Sequence, residues 1–314
     1  MRCAESETGG QHAEAGKSPA GVPLVLTTEA MATRFELLLY GEDAARLRSA
    51  GEEAIEEIGR LDAQLSAFRP ESEISGINAR AAKEAVRVEP RLFRLLALSR
   101  DIHRMTDGAF DITIAPLLRC WGFMGGDGAV PDDADIEAAR ALVGMDKVEL
   151  DEEHLTIRFE RSGMMLDLGA VGKGYAVERA AGLLREAGIR CALIHGGTSS
   201  VCAIGPQPDG SAWQVAVKGP TGPGERLAAV GLQDSSVSVS STRGKWFRAG
   251  RRTFGHVIDP RTGRPISRAA SAVVTGSSPT VCDALSTALL VLGEPWAPTL
   301  AERWPGCSGR AFGS

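Results

Sequence analysis

Residues 42 to 68 place the strongest constraint on the fold. Ala54, Ile58, Leu61 and Leu65 recur there at three- and four-residue spacing, drawing one apolar stripe along a long helix. Helical propensity alone seldom holds such a segment in water, so the stripe needs a partner, either a sheet or another helix. Just ahead of it, "VPLVLTT" and "FELLLY" are short apolar runs separated by a turn, and they read as two strands.

A second helix is expected over Pro90–Met105, where proline suits a first turn and Leu92, Leu95, Leu96 and Ile102 share a face. The spacing then predicts a short helix near Asp135–Val143 and strands around Lys147–Leu150, Leu155–Phe159 and Met164–Leu168. A helix over Tyr175–Ala187 closes at Gly188, as a C-terminal glycine does, and "CALIH" reads as a strand. Further strands are expected at Trp213–Lys218, Leu227–Leu232, Ser236–Ser240 and Ser271–Thr275, ahead of a last helix over Thr280–Leu292. Strands and helices mix without regular alternation or repeat, which predicts an α+β fold rather than a doubly wound sheet. Residues 1–21 carry Gly, Ala, Glu and Ser without periodicity and read as a disordered tail, leaving 22–314 as one domain.

A net charge of -5 gives no broad positive field for nucleic acid or for an anionic membrane. The six cysteines show no C-x-x-C pair and no zinc-ligand spacing, so they read as packed thiols of a reducing compartment. The first twenty residues lack the apolar core of a signal peptide, and Cys3 lacks the apolar stretch that precedes a lipoprotein site. As written the chain reads as cytoplasmic, an exported form requiring a start upstream.

Four segments could carry chemistry. In "TVCDALSTALLVLG", residues 280–293, Asp283 and Thr287 stand four apart and project from one helix face. A carboxylate above a hydroxyl offers two hard oxygens to a cation such as magnesium; a solvent-facing Asp with a Thr bonded to its own backbone is the plainer reading. In "DLGAVGKGYAVE", residues 167–178, three glycines and Lys173 stand where a strand would pass into a helix, an arrangement that suits a phosphate or a tight turn equally. In "GHVIDPRTGRPI", His256 adjoins a Pro/Gly turn and could accept a proton near neutral pH, or be structural, as could His195. "TDGAFDITIAPLLRCWGF" gathers Phe110, Trp121 and Phe123 around Asp111, a wall that would suit a flat ring system or an ordinary core.

Taken in chain order, "MATRFEL", "LSAFRPESEISGIN", "TDGAFDITIAPLLRCWGF", "LDLGAVGKGYAVE", "HVIDPRTGRP" and "CDALSTALLVLG" resemble the ApbE family of FAD:protein FMN transferases. The resemblance runs from about Met31 to Gly293. It implies one α+β domain of two closely packed lobes with the flavin nucleotide in a cleft between them. It also implies magnesium held by Asp283, Thr287 and the Ala170 carbonyl, with Lys173 facing the diphosphate and His256 as base. Met31, Thr33, Ser72 and Asp111 are implied near the flavin cleft, with Gly196, Gly197 and Thr198 holding the nucleotide. FAD would be the substrate, and the partner a flavoprotein or redox-complex subunit carrying a Thr or Ser acceptor.

Two departures stand out. "IHGGTSS" occupies the place of the family's N-x-G-G-[ND], so Ile194 and Thr198 replace polar groups, and the chain stops at "CSGRAFGS" where many members continue with further strand. Two other readings remain open: hydrolysis of FAD to FMN and AMP, and non-catalytic flavin binding.

Overall fold

In the computed structural model, residues 22–218, 226–242, 244–250, 252–266 and 270–313 are described. The segment read as a disordered tail, Cys3 with it, lies outside them. The chain opens with a hairpin in which β1 (Leu24–Ala30) pairs with β2 (Thr33–Tyr40) from Leu24↔Leu39 to Ala30↔Thr33. Met31 and Ala32 form the turn with φ of 51° and 56°, the left-handed geometry that a two-residue hairpin demands and that side chains resist. The stripe-bearing helix follows as α1 (Ala44–Leu65), started by the Asp43 carboxylate accepting from Arg46 N–H. It is shorter than its pattern suggests. The Ser66 hydroxyl accepts from Phe68 and Arg69 N–H groups and turns the backbone out of the helix.

Next come α2 (Glu73–Arg80), β3 (Val86–Arg87), α3 (Pro90–Met105), α4 (Ala115–Cys120), α5 (Asp133–Arg140), β4 (Val148–Asp151) and β5 (Thr156–Phe159). The expected strand over Met164–Leu168 does not form. Its alternation is present, with Met164, Leu166 and Leu168 buried, but Leu166 N–H and C=O both bond the side-chain amide of Asn78, which takes the place of a neighbouring strand. The chain then enters α6 (Gly172–Glu186), β6 (Cys191–Gly196), β7 (Ser200–Ile204), β8 (Trp213–Lys218), β9 (Arg226–Leu232), β10 (Ser236–Ser241) and the hairpin β11 (Trp246–Ala249) and β12 (Arg252–Gly255). It ends with β13 (Ile258–Asp259), β14 (Arg264–Pro265), β15 (Ala270–Gly276), α7 (Pro279–Leu292), α8 (Ala297–Arg303) and β16 (Ser308–Gly313). The segment "CSGRAFGS" thus supplies the edge strand β16, paired with β15.

The main sheet is antiparallel throughout, in the order β1-β2-β6-β7-β10-β15-β16. Period-two alternation sorts its side chains. Phe35, Leu37, Leu39, Ala192 and Ile194 face α1, α6 and α7 in the principal core, while Leu193, Val201 and Val237 face the β8–β9 hairpin with Trp213. A smaller lobe packs Leu117, Trp121, Ile136 and Ile258 against Phe247 and Phe254, and the Trp121 indole donates to Gly263 C=O at 2.8 Å. The α+β architecture is as expected. Among the described residues no helix is long and apolar enough to cross a membrane.

Candidate functional site

A cavity of about 470 Å³ opens between the two lobes, and its floor is made where α6 crosses α7. The crossing is tight because Gly174 has no side chain: a Cβ there would lie 2.6 Å from Asp283 Cβ. The close approach lets Gly174 N–H donate to Asp283 Oδ2 at 2.8 Å. Thr287, one turn on, lines the same cavity, its hydroxyl 3.1 Å from Ser240 Oγ, and Ala170 lines it from the loop before α6. Lys173 reaches back and donates to Gly169 C=O at 3.1 Å, which holds its ammonium at the floor. Val171 at the N-cap of α6 has no capping side chain, and the Asp283 carboxylate takes the first-turn N–H of Gly174 instead.

Asp167 also lines the floor, although spacing gave no reason to single it out. Its Oδ1 accepts from Gly169 N–H at 2.8 Å. Burial pushes both Asp167 and Asp283 above the usual carboxylate range, against the pull of nearby Lys173 and of backbone N–H groups. The contrast with Glu57 is instructive. That buried carboxylate has Arg60 at 2.8 Å, Arg179 at 3.2 Å and Arg91 at 3.7 Å. Among the described residues neither Asp167 nor Asp283 has a cationic group within ion-pair distance, so a half-buried and a buried acid share one cavity wall with only backbone N–H groups and the more distant Lys173 to offset them. No three His, Cys, Asp or Glu side chains converge as ligands among the described residues. A cation here would take two carboxylates with hydroxyl and carbonyl oxygens, a donor set that fits a hard ion such as magnesium.

The opposite wall is the rim of the smaller lobe. His256 follows β12, and its Nδ1 stands 3.2 Å from the Lys245 C=O, so the Nδ1–H tautomer leaves Nε2 as the accepting nitrogen. Burial lowers its pKa from the ordinary value, and Lys173 and Lys245 lower it further. The neutral imidazole is therefore the resting form near neutral pH. Gly244 is required beside it, since any side chain there would run into the ring.

Lys173, Asp167 and Gly169 also line a second, adjoining cavity of about 270 Å³ whose far wall holds Met31, Asp62 and Phe68. Met31 N–H donates to Asp62 Oδ1 at 2.7 Å, which helps hold its left-handed turn.

The expected site residues separate into two groups. Met31, Asp111, Ala170, Lys173, Thr198, His256, Asp283 and Thr287 line one or other cavity. Asp111 does so with both oxygens engaged, Oδ1 by the Thr113 N–H and hydroxyl and Oδ2 by His103 Nδ1 at 3.0 Å. Burial works against a charged His103, but the bond to Asp111 and its charge outweigh that and raise the pKa. Thr33, Ser72, Gly196 and Gly197 line neither cavity. Ser72 is the N-cap of α2, accepting from Ser75 N–H and donating to Ser66 C=O at 2.5 Å. Gly197, at φ 66°, has no room for a side chain because Thr33 fills the space, and Gly196 is packed under Phe35 and Val177. Ile194 points into the principal core, away from the cavity wall. Residues not anticipated are Asp167, Ser199, Ser240, Ser241 and Gly244. The alternating serines of "SSVSVSS" were the legible signal for part of this wall, since hydroxyls placed at period two share one face.

The profile of the ApbE family matches residues 31–309. The chain belongs to the ApbE family. Among curated relatives, a protein of Klebsiella pneumoniae named FAD:protein FMN transferase is 31% identical over 257 residues, covering 81% of this chain and 77% of its own. One of the same name from Haemophilus influenzae is 30% identical over 275 residues, with 83% and 79% covered. The solved ApbE protein of Thermotoga maritima superposes with a TM-score of 0.84 at 27% identity, covering 91% of this chain and 93% of its own. The apo flavinyl transferase ApbE of Pseudomonas stutzeri does so with 0.80 at 28%, with 93% and 94% covered.

Proposed function

We propose that this ApbE-family enzyme moves FMN from FAD to a Ser or Thr hydroxyl of an acceptor protein, with magnesium, and releases AMP. The observation that carries the reading is the placement of His256, Lys173, Asp283 and Thr287 on the walls of one cavity. The relatives' names support transfer of FMN. Two cavities that share Lys173 suit a two-ended ligand such as FAD, its diphosphate at the neck beside the lysine and the α6 N-terminus. Met31, Asp111 and Thr198 then border the nucleotide.

The acceptor oxygen forms a bond to the FMN-side phosphorus, the bond from that phosphorus to the bridging oxygen breaks, and AMP leaves with that oxygen. His256 Nε2 takes the hydroxyl proton. Lys173 holds the phosphate oxygens and balances their charge. Asp283, Thr287 and the Ala170 carbonyl would hold magnesium, with Asp167 alongside; the ion supplies charge neutralisation at the diphosphate.

Transfer to a protein requires the hydroxyl to outcompete water at about 55 M, and a docked, oriented group reaches an effective molarity of roughly 10⁵ to 10⁸ M. AMP release from FAD alone is therefore expected to be slow and to rise with an acceptor domain, whose intact mass gains one FMN. An acceptor with its Thr changed to Ala is expected to give no rise. AMP appearing equally fast with and without acceptor, and no protein gaining flavin, would replace transfer by FAD hydrolysis.

A further inference from the structure

Cys282 and Cys307 converge on Gly276 at the end of β15. A Cβ at Gly276 would lie 3.1 Å from Cys282 Sγ and 2.7 Å from Cys307 Sγ, so both sulfurs occupy the space that a side chain would fill. The two sulfurs meet there although one stands in the first turn of α7 and the other just before β16. Cys282 is fully buried and also has Ser236 Oγ at 3.5 Å, whereas Cys307 is only half-buried. Of the two, Cys307 is the sulfur open to a dissolved reagent. The other described cysteines, Cys120, Cys191 and Cys202, have no cysteine among the groups acting on them.

We propose that Cys282 and Cys307 form a dithiol that hydroperoxides oxidise to a disulfide, tying the first turn of α7 to the chain entering β16. The neighbouring Cys282 thiol lowers the pKa of Cys307, against the effect of burial, a direction that favours its thiolate. In the first step the Cys307 sulfur attacks a peroxide oxygen, the O–O bond breaks, and Cys307 becomes a sulfenic acid as water leaves. In the second, the Cys282 sulfur attacks that of Cys307, the S–O bond breaks, and the hydroxyl departs with the Cys282 proton as water. Two thiols and one hydrogen peroxide give one disulfide and two waters; sulfur is oxidised and the peroxide reduced. Their shared approach to Gly276 sets the sulfurs side by side, where a disulfide would form. Since Cys282 immediately precedes Asp283, the closed bond draws on the turn that holds Asp283 against Gly174.

Hydrogen peroxide applied to the full chain, followed by alkylation under denaturing conditions, tests the assignment by counting thiols. The six present in the sequence should fall to four, with tryptic fragments 269–303 and 304–310 linked, lighter by two hydrogens, and separated again by dithiothreitol. In Cys282→Ser, Cys307 should proceed to sulfinic acid without a cross-link. Finding Cys307 overoxidised or paired with Cys3 in the unsubstituted chain, with Cys282 still alkylated, would overturn the proposal. An unchanged count of six thiols under peroxide would overturn it equally.

Discussion

Asp283 and His256 face the same cavity from two kinds of scaffold. Asp283 stands on α7, where eleven of fourteen residues are buried, against a glycine crossing that leaves its carboxylate no freedom. His256 follows a two-stranded hairpin that pairs only with itself among the described strands and leans on the smaller lobe through Phe247 and Phe254. One wall is part of the core of the fold, and the other is laid against it. Groups that must hold charge in fixed positions gain from the first arrangement, because burial strengthens their field and packing prevents their drift. A proton acceptor that must meet an incoming macromolecule gains from the second. Substitutions on the floor that break its packing or hydrogen bonds should therefore disturb binding and folding together, and those on the rim should disturb rate alone.

The largest expected effect is at Asp283. Asp283→Ala should abolish magnesium-dependent turnover and leave the Gly174 N–H unpaired, at a stability cost of about 1–3 kcal/mol. Asp283→Asn keeps an acceptor for that N–H and should fold as the unsubstituted chain does while remaining inactive. Wild-type rates for either at saturating magnesium would remove the metal assignment. Next is Gly174→Ala, whose methyl enters the crossing of α6 and α7. Overpacking of this kind costs about 1–3 kcal/mol, and denaturant unfolding should show it together with weakened magnesium dependence. Stability unchanged within error would mean the helices are free to separate.

A smaller effect concerns pH. Burial disfavours the imidazolium of His256 and two lysines repel it, so its proton is lost at lower pH than usual. Activity should fall on acidification with a midpoint below the ordinary histidine value of about 6.5, and Lys245→Met should move that midpoint upward. A midpoint above 7 in the unsubstituted enzyme would contradict the assigned surroundings. Least of all, Trp246→Ala on the exposed rim should change folding stability by no more than about 0.5 kcal/mol. A loss as large as that of Gly174→Ala would erase the distinction between the two walls.

Much of this was legible in the chain itself, and the reasons it was legible differ from place to place. The helix Pro90–Met105 is marked at both ends, by a proline in its first turn and by the TDG break, and the structure has those bounds. Asp283 and Thr287 share a cavity wall because four-residue spacing on a helix settles direction. Direction was not settled where the backbone is irregular. Asp167 belongs to a segment whose motif was plain, yet whether its carboxylate entered the cavity depended on Asn78 standing in for a strand. Ser72 carries a similar lesson from the other side, since a serine in a family motif and a serine capping a helix look alike until the N–H of Ser75 is placed. The contact of Lys245 C=O on His256 follows from the register of the β11–β12 hairpin, which apolar patterning did not mark.

The division of labour between floor and rim is tested most directly by His256→Ala, with FAD affinity and single-turnover rate measured on the same preparation. Affinity should stay within error of the unsubstituted enzyme, because the residues proposed to hold phosphate and metal lie on the other wall, while the rate falls roughly a hundred- to ten-thousand-fold. Affinity and rate lost in equal measure would make His256 a nucleotide-binding or structural residue and contradict the account.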